Sequence, residues 1–251
     1  MQIPWYYIWS HDYRIFHEIM QDSIKYPEFE LSPIEVPQSR FDSELYSKEG
    51  SHFWRGSCIK LNYIIESLKK AKEESKPYIL FTDIDIVVRE NIYNDVKGFM
   101  DKSMDMVFMK EGNGINFGFM FLRVCDEVID FFIKVINNLK YINTSFMDQE
   151  CVNAELPSYP GKYTCFNEND FILSNNWNVN NTPTYKVIQV LCSNPDKLCN
   201  MLEKTVSMCL LMDMRPYMKY SSLTKDILHH INNILVNKYN MSPKLLYEPP
   251  V

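Results

Sequence analysis

Residues 77–88 (Pro-Tyr-Ile-Leu-Phe-Thr-Asp-Ile-Asp-Ile-Val-Val) constrain the fold more than any other stretch of the chain. They form an apolar run rich in β-branched and aromatic residues, which is typical of a strand buried on both faces. Two carboxylates, Asp83 and Asp85, interrupt this run with Ile84 between them. In an extended chain residues i and i+2 point to the same side, so we expect both carboxylates on one side of the strand.

Two neighbouring negative charges in an apolar strand repel each other and are costly unless another group compensates them. A divalent cation with oxygen ligands, Mg²⁺ or Mn²⁺, would compensate both charges and would itself hold the phosphates of a substrate. The alternative is that Asp83 and Asp85 lie in solvent past the strand end, as turn or cap residues. Because Ile84 and residues 86–88 continue the apolar run, we favour the cation site.

The composition is that of a globular protein that does not bind nucleic acid. A length of 251 residues suits one sizeable domain, or one domain with a small appendage, with room for a core and a cleft. Hydrophobic residues make up 46% and charged residues 23% of the chain. The net charge of −6 argues against a basic nucleic-acid surface. A negatively charged substrate would therefore need local lysines or arginines, or a metal.

The cysteines and the apolar runs predict a cytoplasmic protein. The seven cysteines are scattered and form no Cys-x-x-Cys pair, which is typical of reduced thiols in an intracellular protein. The N-terminus shows no basic segment followed by a long apolar one, as a signal peptide would. No apolar run approaches the roughly 20 residues that a transmembrane helix needs. We therefore expect no membrane-spanning segment.

Strand and helix patterns alternate along the first third of the chain. Strands are predicted at residues 4–9, 29–36 and 77–88, and helices at 13–24 and 52–70. This alternation indicates an α/β fold with a mixed, mostly parallel central sheet flanked by helices. Further helices are predicted at 91–99, 126–139 and 145–156, and strands at 104–109, 115–122 and 185–192. Residues 157–183 are predicted to be irregular, and such a long loop is usually functional.

The C-terminal part is predicted to be helical, at residues 195–214 and 223–239. These helices would brace the domain and carry no chemistry of their own. We accordingly expect a catalytic domain over residues 1–200 and a helical extension over residues 201–251 packed on it.

Two features outside the central stretch have two explanations each. Gly114 and Gly118 lie in or next to a predicted strand, where a glycine marks either a close approach by ligand or backbone, or a bulge. Asp148 lies in the first turn of a predicted helix, where it is either a cap stabilised by the helix dipole or a functional carboxylate. The sequence alone leaves both alternatives open.

Four short sequence motifs, here called stations, follow each other in the order found in small GT-A-type glycosyltransferases, the nucleotide-diphospho-sugar transferases with an Asp-x-Asp signature. In these motifs the chain resembles that family. The first is a helix with a leading glycine, Gly56, and an internal lysine, Lys60. The second is Asp83-Ile84-Asp85, and the third is the strand Asn-Phe-Gly-Phe-Met at residues 116–120. The fourth is the Asp-Gln pair at 148–149, at the start of a helix. The resemblance covers roughly residues 3–200.

The resemblance implies a role for several residues. Asp83 and Asp85 would hold Mn²⁺ or Mg²⁺, which bridges the two phosphates of the donor. Asp148 and Gln149 would be the catalytic pair near the acceptor, with Asp148 as the base if the reaction inverts the anomeric centre. The nucleotide would lie beside Trp9 and Ser10, the phosphates or sugar near Arg55 and Lys60, and the sugar pocket at Asn116 and Gly118. For Arg55 and Lys60 the alternative is a solvated helix charge.

Three further residues complete the predicted substrate-binding set: Thr82, Trp177 and Lys197. The chain also departs from the family pattern. Many relatives have a histidine on the last strand as a further metal ligand, but this chain has Gln189 there, so that Lys197 alone would serve the phosphates. Phe117 replaces the threonine of the third station, which leaves the sugar preference open. The membrane anchor of secretory-pathway relatives is missing, which fits a cytosolic enzyme of a bacterial or viral type.

The sequence therefore predicts a metal-dependent glycosyltransferase that uses a nucleotide-sugar, favoured to be a UDP-sugar, and a hydroxyl of a glycan or another acceptor. One alternative is a haloacid-dehalogenase-like phosphatase with Asp83 as the nucleophile, although the later acidic pair of that family has no counterpart here. Another alternative is a nucleotide- or glycan-binding module without turnover. The sugar, the acceptor and the stereochemical outcome are left open.

Overall fold

The computed structural model describes residues 2–10, 13–36, 52–141, 148–174 and 185–191, together with residues 204, 207 and 208. The elements follow in the order β1 (Ile3–Trp9), α1 (Arg14–Ser23), β2 (Phe29–Glu35), α2 (His52–Glu73), β3 (Tyr78–Thr82), β4 (Ile86–Val88), α3 (Tyr93–Asp101), β5 (Met106–Glu111), β6 (Gly114–Arg123), α4 (Asp126–Tyr141), α5 (Asp148–Glu155), a 3₁₀ turn (Leu156–Ser158), β7 (Tyr163–Cys165), β8 (Phe171–Leu173) and β9 (Val187–Gln189).

Six strands form the main sheet in the order β2-β1-β3-β6-β5-β7. β1 pairs in parallel with β2 and β3, as expected for strands joined by the crossover helices α1 and α2. β6 runs antiparallel to β3 and β5, and β7 is parallel to β5. The predicted α/β fold with a mixed, mostly parallel sheet is thus confirmed.

A second, smaller sheet has the order β4-β9-β8. Its existence shows that the prediction of one continuous strand over residues 77–88 is wrong. β3 ends at Thr82, and the chain leaves the main sheet through residues 83–85 before it pairs with β9 as β4. Two backbone hydrogen bonds hold this crossing: Asp83 N donates to Gly118 O at 2.7 Å, and Val190 N donates to Asp85 O at 2.8 Å.

Two hydrophobic clusters cover the two faces of the main sheet. Along β6, Met120 and Leu122 belong to one cluster, and Phe119 and Phe121 belong to the other, as the alternation of a strand requires. The first cluster packs against α2, α4 and α5, and the second against α1, α3 and the small sheet. Both faces of the central strands are therefore buried, which explains their almost continuous apolar sequence.

Two further predictions concern residues 157–183 and the C-terminal extension. Residues 157–183 were predicted to be irregular, but they contain β7 and β8. Each of these strands is three residues long, too short for a recognisable alternation. The C-terminal extension lies outside the described residues, except that residues 204, 207 and 208 are helical. Among the helices that the structure describes, none has the length and apolarity to cross a membrane.

Candidate active site

Two adjoining cavities lie where β1, β3 and the small sheet meet. The first, of about 260 Å³, is bordered by the ends of β1 and β3 and by α2. The second, of about 420 Å³, is bordered by α2, β6, β9 and the start of α5. Four residues line both cavities: Gly56, Lys60, Asp83 and Asp85. The two aspartates therefore stand at the boundary between the cavities, at the carboxyl end of β3, where open α/β sheets bind ligands.

The first cavity has aromatic and aliphatic walls. Trp9 lines it and stacks on His17, with ring centroids 4.2 Å apart and an interplanar angle of 12°. Ser10 lines it, as do Tyr13 and the exposed Ile59. Tyr13 and Ile59 were not among the site residues predicted from the sequence. A flat aromatic wall beside a serine is suited to a planar, partly polar ligand group.

Thr82 lines this cavity too, but its hydroxyl is already used. Trp5 Nε1 donates a hydrogen bond of 3.0 Å to Thr82 Oγ1, and both side chains are buried. This bond gives the indole N–H of Trp5 a partner in the core, and the acceptor is the hydroxyl of Thr82, the last residue of β3. It gives Thr82 a structural role in addition to its place on the cavity wall.

Each aspartate is paired with a lysine. Lys60 Nζ lies 2.6 Å from Asp83 Oδ1, and Lys204 Nζ contacts Asp85 Oδ2. The remaining oxygens, Asp83 Oδ2 and Asp85 Oδ1, lie 3.3 and 3.4 Å from Nε2 of Gln189. The aspartates thus lie past the strand end, as the alternative interpretation had it, but they converge on each other and Asp85 is buried.

The electrostatics of the group follow from burial and close charges. Burial raises the pKa of the Asp83 carboxyl, Lys60 lowers it, and the neighbouring Asp85 raises it further. Burial lowers the pKa of Lys60, but the carboxylates of Asp83, Asp148 and Asp85 outweigh burial and raise that pKa. Burial also lowers the pKa of Lys204, but its pairing with Asp85 and the nearby Asp83 and Tyr13 together outweigh burial and raise that pKa. Both lysines therefore stay protonated at neutral pH.

Gln189 has a buried amide oxygen without a partner. The residue is 3% exposed, and no described residue makes a hydrogen bond to its Oε1. Its amide lies against Gly118, where a Cβ atom would stand 2.1 Å from Nε2 and 2.3 Å from Oε1. Gly118 therefore makes room for the side chain of Gln189, whereas the sequence analysis offered a ligand, the backbone or a bulge as the reason for this glycine.

The donor set fits a hard divalent cation. Asp83 Oδ2 and Asp85 Oδ1 both face the Gln189 amide, whose oxygen and nitrogen exchange places when the amide rotates by half a turn. The unpartnered oxygen could then join the two carboxylate oxygens, and such oxygen ligands suit Mg²⁺ and Mn²⁺. Within the described residues, no cluster of three or more His, Cys, Asp or Glu side chains could hold a metal. Among the described residues, the Gln189 amide is therefore the candidate for a third protein ligand beside the two carboxylates.

β6 bulges beside the aspartates. Phe108 pairs with Met120 but Met109 pairs with Asn116, so residues 117–119 leave the ladder with β5. The freed backbone groups of Phe117 find side-chain partners. Phe117 N donates to Gln149 Oε1 at 3.0 Å, and Lys60 Nζ donates to Phe117 O at 2.7 Å. The bulge therefore ties α2 and α5 to the strand next to the site.

Glu111 holds two predicted site residues in place. Its Oε2 accepts hydrogen bonds from Asn116 Nδ2 at 3.0 Å and from Gln149 Nε2 at 2.9 Å. Asn116 Oδ1 in turn accepts from Gly118 N at 2.8 Å. Both side-chain amides line the second cavity, but both are engaged within the protein. Asn116 and Gln149 thus position the bulge, whatever else they contact.

Asp148 is one of two acidic residues of α5 that line the second cavity, the other being Glu150. Asp148 Oδ1 accepts a hydrogen bond of 2.9 Å from Gln149 N at the helix start, and the residue lines the cavity. Asp148 can therefore cap the helix and serve as a functional carboxylate at the same time. α5 is fixed by Asn153, which bonds Ile115 N at 2.9 Å and Ile115 O at 3.1 Å.

The structure leaves some predicted residues untested and adds others. Arg55 belongs to α2, but its side chain lies outside the described part of the chain, as do Trp177 and Lys197 entirely. Lys204 was missed, although it lies in the predicted helix at residues 195–214, which also carries the predicted site residue Lys197. Lys204 and Asp85 are 119 positions apart, and no local pattern points from one to the other.

Comparison with solved structures identifies the fold. A glycosyltransferase involved in the glycosylation of the major capsid of PBCV-1 has a TM-score of 0.61 at 12% identity, covering 84% of this chain and 100% of that chain. The glycosyltransferase GlyE of Streptococcus pneumoniae TIGR4 has a TM-score of 0.52 at 10% identity, covering 95% of this chain and 64% of that chain. The galactosyltransferase LgtC, solved with donor and acceptor sugar analogues, has a TM-score of 0.50 at 11% identity, covering 85% of this chain and 98% of that chain.

No protein-family model matches the sequence, and no curated protein matches it by sequence. The fold of this chain is nevertheless that of GT-A-type glycosyltransferases, and the resemblance predicted from the sequence is confirmed at the level of the fold.

Proposed function

We propose that this chain is a metal-dependent glycosyltransferase that moves a sugar from a nucleoside-diphosphate sugar to an acceptor hydroxyl. The observation that carries the proposal is the convergence of Asp83, Asp85 and Gln189 at the junction of two cavities. In a glycosyltransferase fold this junction suits the diphosphate, with the nucleoside on one side and the sugar on the other.

The first cavity is our candidate nucleoside pocket. Trp9 offers a flat ring for the base, and Ser10 offers a polar group for the ribose. We favour uridine as the nucleoside, in line with the sequence resemblance. Lys60 and Lys204 lie next to the junction, where their ammonium groups would balance the charge of the phosphates.

Asp83, Asp85 and Gln189 would hold Mg²⁺ or Mn²⁺. Such a cation stabilises the negative charge that develops on the leaving nucleoside diphosphate. The second cavity would receive the sugar and the acceptor. There the acceptor oxygen forms a bond to the anomeric carbon while the bond from that carbon to the diphosphate oxygen breaks. Asp148 is our candidate to take the proton of the acceptor hydroxyl.

The proposal is tested by nucleotide binding. We expect UDP, GDP or one of their sugar conjugates to bind in calorimetry with Mn²⁺ and to bind much more weakly with EDTA. Asp85→Ala should abolish the metal-dependent binding. Asp126→Ala removes an equally charged but exposed aspartate, paired with Lys72, and should leave binding unchanged.

Two other outcomes would favour the alternatives. Phosphatase activity on a generic phosphomonoester, without nucleotide binding, would support the dehalogenase-like enzyme with Asp83 as nucleophile. Nucleotide-sugar binding without loss or transfer of the sugar, across a panel of acceptors, would support a binding module. The sugar, the acceptor and the predicted cytoplasmic location need separate measurements.

A further inference from the structure

The two central carboxylates are each occupied by a lysine. Asp83 Oδ1 is 2.6 Å from Lys60 Nζ, and Asp85 Oδ2 contacts Lys204 Nζ. The lysine side chains are 15% and 19% exposed, so water screens these pairs only in part. A cation at the oxygens that face Gln189, Asp83 Oδ2 and Asp85 Oδ1, must therefore compete for the carboxylate charge with two partly buried ammonium groups on the other two oxygens.

The charges of the four side chains cancel. Two carboxylates and two ammonium groups sum to zero, with Asp148 as a further carboxylate of the same cavity, and a divalent cation alone would leave the two ammonium groups competing with it for their carboxylate partners. A nucleoside-diphosphate sugar carries one negative charge on each of its two phosphates. A diphosphate that binds together with the cation therefore offers the ammonium groups new negative partners, whereas a cation alone does not.

The two lysines differ in how firmly they are held. Lys60 also donates to Phe117 O at 2.7 Å and lies 4.6 Å from the centroid of the Phe117 ring. Lys204 has Asp85 as its hydrogen-bond partner among the residues that the structure describes. Among the described residues, Lys204 therefore has no backbone contact to break when it leaves its carboxylate, while Lys60 is anchored to the bulge of β6.

We propose that Lys204 blocks the cation site electrostatically, by its charge on the second oxygen of Asp85, and moves from Asp85 to a phosphate when the cation and a nucleoside diphosphate bind together. Cation binding and diphosphate binding are then linked through this one ion pair, and each must strengthen the other by the same factor. The diphosphate half of the inference rests on the proposed function. The blocking half concerns the cation alone.

The test is a Mn²⁺ titration of the full chain, in which electron paramagnetic resonance measures the free ion. For the wild type we expect UDP to raise the Mn²⁺ affinity by about tenfold or more. For Lys204→Met we expect the Mn²⁺ affinity without UDP to rise by a similar factor, because the competing ammonium is gone. The increase in Mn²⁺ affinity that UDP causes should be correspondingly smaller in this variant.

Lys72→Met is the matched control. It removes the same charge and another lysine–aspartate pair of 2.6 Å, but at an exposed position, and should leave the Mn²⁺ affinity unchanged. If Lys204→Met does not fold, Lys204→Gln removes the charge and keeps a donor for Asp85. Wild-type protein that binds Mn²⁺ equally well with and without UDP would overturn the linkage.

The blocking is tested without any nucleotide. A Lys204→Met protein that binds Mn²⁺ no more tightly than the wild type would overturn it, whether or not UDP binds. Absence of UDP binding under all conditions would instead contradict the proposed function. In that case a gain of Mn²⁺ affinity in Lys204→Met would still support the blocking lysine.

Discussion

Among single residues, Gly118 and Gln189 form the tightest steric constraint at the site. The Gln189 amide occupies the space in which a side chain at position 118 would begin, with 2.1 Å between Nε2 and the position of a Cβ atom. This glycine is required by the close approach of Gln189, because its own φ does not lie in the left-handed region that favours glycine. Any side chain at this position must displace the amide that faces the two aspartates.

We predict that Gly118→Ala lowers the free energy of unfolding by about 1–3 kcal/mol, because it overpacks a buried contact. Mn²⁺ binding should weaken as well, since Gln189 moves. The control is Gly98→Ala in α3, where nothing lies within 4 Å of the new Cβ atom. That change should stabilise the helix by up to about 1 kcal/mol. Chemical denaturation measures both, and equal effects would contradict the steric argument.

Gln189 also predicts which metals the site prefers. Imidazole favours Ni²⁺ and Zn²⁺ more than an amide oxygen does. We therefore expect Gln189→His to raise the ratio of Ni²⁺ to Mn²⁺ affinity by about tenfold. Gln189→Leu, which has no ligand atom, should weaken both metals. Competition titrations give these ratios, and an unchanged ratio in the histidine variant would remove Gln189 from the ligand set.

At the scale of elements, the bulge of β6 and the start of α5 depend on each other. Gln149 accepts the hydrogen bond of Phe117 N, which the bulge withdraws from β5, and donates to Glu111. Asp148, one residue earlier, has a carboxylate on the cavity wall and a bond within the helix start. The two residues of the Asp-Gln station should therefore have separable roles.

We predict that Gln149→Ala costs about 2 kcal/mol of stability, because it leaves the buried Phe117 N–H without an acceptor. Asp148→Asn should cost less than about 1 kcal/mol and lower sugar transfer by about 100-fold if it removes the base. Denaturation and a transfer assay on both variants separate the two roles. A Gln149→Ala protein of full stability but no activity would assign Gln149 to the substrate instead.

The sequence predicted the elements better than it predicted the site. Apolar periodicity is local, so the strand predicted at residues 4–9 and the helix at 126–139 correspond to β1 (Ile3–Trp9) and α4 (Asp126–Tyr141). Lys60 and the two aspartates were found through short motifs. Glu111 and Lys204 were not, because their roles arise only when distant segments meet, and each looks like an ordinary surface charge in its own segment.

At the scale of the whole molecule, residues 83–85 link the two sheets. Asp83 N bonds to β6 of the main sheet, and Asp85 O accepts from Val190, just after β9 of the small sheet. Gln189 at the end of β9 then faces both carboxylates. A ligand that engages the aspartates and Gln189 together should therefore stiffen the junction between the sheets.

We predict that UDP with Mg²⁺ slows amide hydrogen exchange in peptides over residues 83–88 and 187–191 at the same time, because ligand binding suppresses local opening of the segments it joins. Asp85→Ala should show protection in neither segment. Mass spectrometry of deuterium uptake measures this. Protection limited to the peptides around Trp9 would place the nucleotide in the first cavity without contact to the junction.

The same layout bears on how the protein is made. The site unites Trp9, Lys60, Asp83, Gln149, Gln189 and Lys204, and the ion pair at Asp85 waits for a residue 119 positions later. Asp83, Asp85 and Gln189 come together only after residue 189 has been synthesised, so a cation held by all three cannot guide the formation of the main sheet, whose strands all precede it. Ligand rescue of a folding defect should then act only on chains that include β9.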